Sequence, residues 1–390
     1  MANQKPNLYD LDLGGLEALL RDWGEPRYRA DQIWTWLYRH LATEFAQMTS
    51  LSKSLRAKLE AQTVLYVPPV VTVEESIDGE TRKDLLEMAD GERVEVVLMR
   101  YIDRRSACIS TQVGCAVGCE FCATGQMGLR RSLTSGEIVA QVLHLERELR
   151  AQGQHLTNVV LMGMGEPFLN YDNTLAALKR LIHPQGLQIG QRRITLSTAG
   201  IVPGIRRFAG EELQVNLAVS LHAATDELRN QLMPVNRRYG IDALFGAVQD
   251  YIEKTNRRVT FEWVLIDGIN DTPDQATALA ARVTGMLAQV NLIALNPTAG
   301  YAGRPSPADR IEAFTQILDR RHIPYTLRLR RGSDIQAGCG AAPAEKRRPR
   351  KTVFARGPDH GKQRGILPEK IRERSNQTLP DRNRSSPTVL

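Results

Sequence analysis

Three cysteines stand within eight residues, Cys115, Cys119 and Cys122 in GCAVGCEFCATG (114–125). The Cys-x3-Cys-x2-Cys spacing puts three thiolates on one loop with no fourth ligand directly behind them. Structural zinc takes four closed ligands, usually as two Cys-x2-4-Cys pairs. No second pair follows, and Cys108 is the residue that a zinc reading would have to recruit. A [4Fe–4S] cluster held by three cysteines instead leaves one iron open to a small chelating ligand, while the cluster delivers an electron at low potential. Two cysteines lie apart from the loop: Cys108, seven residues before Cys115, and Cys339 in RGSDIQAGCGA (331–341). A free cysteine is ordinarily a small buried hydrophobe. These two fall on or just after predicted strands, where side chains can project over the mouth of a barrel.

Such residues need a scaffold. Between about 104 and 335, β-rich runs alternate with amphipathic segments. The predicted strands are SACISTQV (106–113), NVVLMGMG (158–165), RITLST (193–198), VNLAVSLH (215–222), VTFEWVLI (259–266), VNLIALN (290–296) and YTLRLR (325–330). Segments such as SGEIVAQVLHLERELRAQ (135–152) and IDALFGAVQDYIEKT (241–255) carry apolar residues three and four apart, the helical period. Repeated strand–helix units predict an α/β fold, a partial (β/α)6-type barrel over 104–340. The cysteine loop follows its first strand, where barrels carry their chemistry. Residues 1–65 read as a small helical accessory domain, and 66–103 as an extended linker or β segment. Residues 341–390 read as a basic tail without apolar periodicity, expected to be disordered.

Composition narrows the class. The 390 residues are 42% hydrophobic, enough for a large core. The longest apolar runs fall short of the roughly 18–20 residues that span a bilayer, and the N-terminus lacks a secretory pattern. A soluble cytoplasmic protein is expected. Five cysteines are too few for a disulfide framework. The formal charge is +7, but residues 341–390 hold 13 Lys and Arg against 5 Asp and Glu, leaving 38 basic and 39 acidic residues in the first 340. The body is therefore almost neutral. A predicted strand also ends in LMGMGEP (161–167), two glycines and an acid without the third glycine of a dinucleotide fingerprint. LSTAG (196–200), VSLHA (219–223) and ALNP (294–297) each place a small polar group at a strand end. Singly each is an ordinary hydrogen-bonding terminus; repeated at one rim, they outline a ligand site.

ACISTQVGCAVGCEFCATGQMGLRRSLT (107–134), NVVLMGMGEPFLN (158–170), RRITLSTAG (192–200), LAVSLHA (217–223), LNP (295–297) and RGSDIQAGCG (331–340) together resemble the RlmN/Cfr family of radical S-adenosylmethionine (SAM) RNA methyltransferases. EPRYRADQIWTWLY (25–38) is similar to that family's N-terminal accessory domain. The resemblance implies that Cys115, Cys119 and Cys122 hold the [4Fe–4S] cluster, that the amino acid end of SAM chelates the open iron, and that reductive cleavage gives a 5′-deoxyadenosyl radical. It implies SAM contacts from Gly165 and Glu166 at the ammonium, and from Ser197, Ser220, Leu221, His222 and Asn296. By the same resemblance, Cys339 is methylated and carries carbon to an adenine ring, Glu95 accepts the ring proton, and Cys108 resolves the adduct through a transient Cys108–Cys339 disulfide. On its own, Glu95 in RVEVV reads as the solvent face of a strand.

The implied substrates are 23S ribosomal RNA and transfer RNA, with an electron donor and a thiol reductant as further partners and a monomer as the default state. RlmN-type members act at adenosine C2 and Cfr-type members at C8, and both use the same five cysteines. Arg104, Arg105, Arg130 and Arg131 are candidate RNA contacts on the neutral body. The chain departs from the family pattern at RRSL (130–133) and in GAAPAEKRRPR after Cys339. A non-enzymatic RNA-binding module with structural zinc is the reading from another class, and it gives Cys108 and Cys339 no work.

Overall fold

In a computed structural model, which describes residues 5–328, 332, 334–338 and 340, parallel strands and helices alternate as the sequence pattern predicts. The strands are β1 (Val70–Glu75), β2 (Thr81–Glu87), β3 (Arg93–Arg100), β4 (Arg105–Cys108), β5 (Gln112–Gly114), β6 (Leu129–Ser132), β7 (Asn158–Leu161), β8 (Ile194–Thr198), β9 (Asn216–Ser220), β10 (Val259–Leu265), β11 (Ala288–Ala294) and β12 (Tyr325–Arg328). Among the described residues, ten of them form one sheet in the order β1-β2-β3-β4-β7-β8-β9-β10-β11-β12. β1 to β4 pair antiparallel, and every pairing from β4 to β12 is parallel.

Alternation explains how apolar runs can line a polar cavity. In β10, Val259, Phe261, Trp263 and Leu265 are buried in the main core, whereas Thr260 and Glu262 line a central cavity. Side chains of successive strand residues point to opposite faces. β11 repeats the division, with Val290 and Leu292 in the core and Gln289, Asn291 and Ile293 on the cavity wall.

The run 106–113 is not one strand. β4 ends at Cys108, and β5 pairs with β6 in a separate two-stranded sheet. Between them, Ser110 N–H donates to Gln141 Oε1 (2.8 Å), while Ser110 Oγ donates to the Glu95 carbonyl (2.9 Å) and accepts from Met164 N–H (2.9 Å). Side-chain partners thus replace the ladder where the strand breaks. Residues 70–100 form β1 to β3, an antiparallel addition to the β4 edge of the parallel array.

The front of the chain is three helices, Leu13–Asp22, Tyr28–Tyr38 and Lys53–Gln62, with Asp12 and Ser52 as side-chain N-caps of the first and third. Ile33, Trp34, Leu37, Leu55 and Leu59 belong to the same core as the barrel. Specific bonds fix the junction. Asp10 Oδ1 accepts from Gly136 N–H (2.8 Å), Tyr9 Oη accepts from Arg147 (2.9 Å), and the buried Arg180 donates to the carbonyls of Tyr9 and Asp10. Gly136 opens the helix Ser135–Ala151, whose capping box is Thr134 and Glu137, a device that satisfies two otherwise orphaned N–H donors. No helix among the described residues is long and apolar enough to cross a membrane.

Candidate active site

The cysteine loop is held by its own backbone and by an apolar floor. Cys115 N–H donates to the Gly128 carbonyl (3.0 Å), Glu120 N–H to the Leu232 carbonyl (3.1 Å) and Ala123 N–H to the Gly340 carbonyl (3.0 Å). Val117 and Phe121 pack with Ala199, Ala223, Leu232 and Met233, and the three cysteines lie against this cluster. At Gly114 the backbone has φ +74°, and an added Cβ would sit 1.9 Å from the Gly128 carbonyl oxygen. Only glycine lets β5 and β6 close there.

The three thiols are electrostatic neighbours. Burial, the Glu166 carboxyl and ionisation of Cys122 push the Cys115 thiol up to about 12, against backbone N–H bonds from Val117 and Gly118 that lower it. Burial and the other two sulfurs push Cys119 well above its ordinary value. A cationic centre binding there must displace the protons that burial favours on Cys115 and Cys119. The donor set suits an iron–sulfur cluster better than one ion. A single tetrahedral zinc draws its sulfurs to within about 4 Å of one another. Among the described residues, the one group of three potential ligands within 4.8 Å is Asp84, His144 and Glu148, whose two carboxylates already pair with Arg82.

Strand ends next to the loop place the proposed SAM residues. Gly165 has φ +100°, and a Cβ there would lie 2.5 Å from Gln112 Cβ, so this turn packs directly on Gln112. Gln112 Oε1 in turn accepts from Glu166 N–H (2.9 Å). Glu166 is buried and uses both carboxyl oxygens on backbone, accepting from Phe168 N–H (3.0 Å) and Ala199 N–H (2.6 Å). It therefore ties the end of β7 to the end of β8. Ser197 Oγ and Ser220 Oγ lie 3.5 Å apart. Leu221 is fully buried, its N–H donating to the Glu262 carbonyl (3.0 Å). His222 stacks edge-on against Phe121, with ring centroids 4.9 Å apart. Burial and the nearby Arg229 charge lower its pKa to about 3, so the ring is neutral. Its Nδ1 accepts from Val264 N–H (3.0 Å), which leaves the proton on Nε2.

A cavity of about 1240 Å³ lies against the inner face of the sheet. Glu95 and Cys108 line it, together with Gly163, Asn296, Gly338 and Gly340. The ammonium of Lys83 lies 3.4 Å from the Glu95 carboxylate, so Glu95 faces the cavity wall rather than open solvent. Cys339 lies outside the described residues. Its neighbour Gly338 packs so closely on Asn296 that a Cβ would approach the amide nitrogen to 2.2 Å. At its other end the cavity is lined by Arg192, Arg257 and Arg258, at the start of the parallel strands. Arg104 stacks over Tyr101 (4.0 Å) and also lines the cavity. Arg105 binds Gln154, while Arg130 and Arg131 pair with Glu92 and with Asp90 and Glu137.

Two site residues carried no sequence signal. Arg229 in DELRNQL looks like a charged helix face, yet it is fully buried, donating to the carbonyls of Ala199, Ser220 and Leu221 and to Asn236 Oδ1. Asn270 in DGIND looks like a turn, yet its amide bonds His222 O (2.8 Å) and Val264 O (2.6 Å).

Glu166 gives the site a pH dependence. Burial raises its pKa from 4.5 to about 7, against the three hydrogen bonds that lower it. A raised folded-state value means stability that is full below the unfolded pKa and lost as pH rises through the folded one. Ionising it in the fold then costs on the order of 3 kcal/mol above pH 7. Thermal melts of the metal-free protein should therefore fall in Tm from pH 5 to pH 8 more steeply than those of Glu166→Gln. Parallel pH profiles would rule this out.

Residues 109–280 match the radical SAM superfamily model, and residues 6–65 match the ribosomal RNA large subunit methyltransferase N-terminal domain. A crystal structure of a radical SAM methyltransferase from Sphaerobacter thermophilus superimposes with a TM-score of 0.84 at 51% identity, covering 86% of this chain and 98% of that one. The dual-specificity RNA methyltransferase RlmN 1 of Myxococcus xanthus is 51% identical over 348 residues, 89% of this chain and 97% of its own. Fold and cysteine loop thus define a radical SAM enzyme, a SAM-dependent methyltransferase whose cofactors are a [4Fe–4S] cluster and SAM. Within that class, the chain belongs to the RlmN family.

Proposed function

We propose that this enzyme methylates C2 of adenosine in 23S ribosomal RNA and in transfer RNA, working in the cytoplasm through a methylated Cys339. The observation that carries the reading is the shared cavity, which Glu95 and Cys108 line together with Gly338 and Gly340, the two residues flanking Cys339. The RNA substrate is supported by the name of the Myxococcus relative and by the N-terminal domain match.

The division of labour follows from the target. Adenine C2 is an electron-poor, amidine-type carbon that does not attack the electrophilic methyl of SAM, so the carbon must arrive by another route. Cys115, Cys119 and Cys122 would hold the cluster, with Gly165, Glu166, Ser197, Ser220, Leu221, His222 and Asn296 around SAM. When bound, the cluster would supply an electron from an external donor and take one back from the radical adduct, and SAM would supply the methyl group and the hydrogen-abstracting radical. Cys339 accepts the methyl and delivers its carbon to C2. Glu95 takes the C2 proton, with the Lys83 ammonium beside it. The Cys108 thiolate then attacks the sulfur of Cys339, the C–S bond breaks toward the RNA, and the carbon so released is protonated to the methyl group. A Cys108–Cys339 disulfide remains, which a thiol reductant reopens.

Anaerobic reconstitution with iron and sulfide, turnover on RNA and nucleoside analysis of the product test the reading. The expected product is 2-methyladenosine, with a methyl mass on Cys339. 8-Methyladenosine would move the enzyme to Cfr-type chemistry. A colourless zinc protein with unmodified Cys339 would end the enzymatic reading altogether.

A further inference from the structure

Lys83 is a lysine that the sheet takes out of water. It lies within β2 and is 4% exposed, and lysine is almost never buried unless it is paired. Its ammonium has two ion partners among the described residues, Glu74 Oε2 at 2.9 Å and Glu95 Oε1 at 3.4 Å. The two stand in different places. Glu74 is exposed on β1, the edge strand of the sheet, whereas Glu95 lines the cavity. One carboxylate is enough to balance the lysine, and Glu74 provides it from the solvent side. The second contact gives a carboxylate of the cavity wall its own cation.

Strand register sets this contact beside Cys108. Glu74, Lys83, Val97 and Cys108 pair in turn across β1, β2, β3 and β4, so they form one cross-strand row on one face. Glu95 is two residues from Val97 on β3 and therefore shares that face. It stands opposite Leu85, and Lys83 reaches it on the diagonal. Glu95, Val97 and Cys108 line the cavity, and Lys83 belongs to the next strand out. The Glu95 backbone is fixed separately, its carbonyl accepting from Ser110 Oγ (2.9 Å). A slip of one residue between β2 and β3 would turn Lys83 and Glu95 to opposite faces.

A carboxylate that is to take a proton must meet it as an anion and in one orientation. A cation at close range favours the ionised form of a carboxyl. We propose that Lys83 is a positioning residue for the proton transfer, its ammonium holding the Glu95 side chain anionic and in place on the cavity wall. The inference rests on the RNA methyltransferase reading, in which Glu95 takes the C2 proton, and adds what prepares Glu95 for it. In that step the proton passes from C2 to the carboxylate, while Lys83 is an ammonium before and after. Without Lys83, the two carboxylates that share its charge would repel each other. Glu95 would then swing away or take up a proton from water, and either change idles the base.

The test separates the steps of turnover in the reconstituted holoenzyme. Lys83→Met should lower kcat for RNA methylation by about 10- to 100-fold, with KM for RNA within about 2-fold of native, as for a general base that is misplaced rather than removed. Methylation of Cys339 by SAM, read by mass without RNA, should keep its native rate, because the reading gives Glu95 no part in it. The protein–RNA adduct should accumulate as it does in Glu95→Gln, and deuterium at C2 of the target adenosine should slow the variant more than the native enzyme. Lys83→Arg, which keeps the charge, should recover most of the loss. Native kcat in Lys83→Met beside a stalled Glu95→Gln overturns the proposal. So does Cys339 methylation that falls in step with RNA methylation in both Lys83→Met and Lys83→Gln, since that is loss of structure. Native turnover by Glu95→Gln refutes the functional reading itself, which is a separate result.

Discussion

Alanine at Cys108 is expected to leave the RNA covalently attached to the protein. Cys108 is the last residue of β4, paired with Val97 of β3 on one side and Val160 of β7 on the other. The strand is held by both ladders, so deleting one sulfur should spare the fold. Its side chain lines the cavity, where it would meet the sulfur of Cys339 after carbon transfer. Without that thiol, carbon still reaches the base but nothing cleaves the link. Multiple turnover should fall on the order of 10³-fold or more, as for loss of a nucleophile that no neighbour replaces. A slow-migrating protein–RNA species should accumulate on denaturing gels. Cys339→Ala should give no adduct, alone or combined with Cys108→Ala. Adducts with Cys339→Ala and none with Cys108→Ala would exchange the two roles.

Replacing Arg229 with methionine should destabilise the chain by about 3–5 kcal/mol, because four buried acceptors lose their donor at once and each costs about 1–3 kcal/mol when left unsatisfied and unrelaxed. Its guanidinium bonds the carbonyls of Ala199 (2.7 Å), Ser220 (3.1 Å) and Leu221 (3.1 Å) and Asn236 Oδ1 (2.9 Å), fastening the ends of β8 and β9 beneath the cysteine loop. Burial lowers the pKa of the guanidinium only to about 10, so it stays charged at neutral pH. That charge is the one neighbour that lowers the Cys119 thiol, and it favours the thiolate a cluster requires. Denaturant unfolding should show the stability loss, and iron content after reconstitution should fall with it. Arg229→Lys keeps charge without the planar fork and should fall between. A change below about 1 kcal/mol would mean that relaxed carbonyls find other partners.

Much of the fold was legible because barrel strands and their helices carry different periods. The runs at 194–198, 216–220 and 259–265 are strands where the sequence placed them. The run 106–113 misled because its break depends on Gln141 and Met164, distant in sequence, which supply partners to Ser110. Cluster candidates were legible because three cysteines at that spacing have few other uses. Glu95 was legible only by family resemblance, since alternation with valine looks the same whether the polar face meets water or a cavity. Glu262, in VTFEWVLI, was invisible for the same reason. Arg229 was hidden because a charged residue on a short helix says nothing about what the helix covers.

The cavity is walled differently at its two extremes. Thr124, just beyond the cysteine loop, and Gly340 line one end, and the loop residues Ala116 and Glu120 are exposed. At the other, Arg192, Arg257 and Arg258 ring the strand starts. The side-chain partners of these guanidinium groups, Gln214, Asn216 and Gln289, are neutral, so that end of the cavity keeps a positive field, whereas the exposed rim of the cysteine loop carries an acid at Glu120.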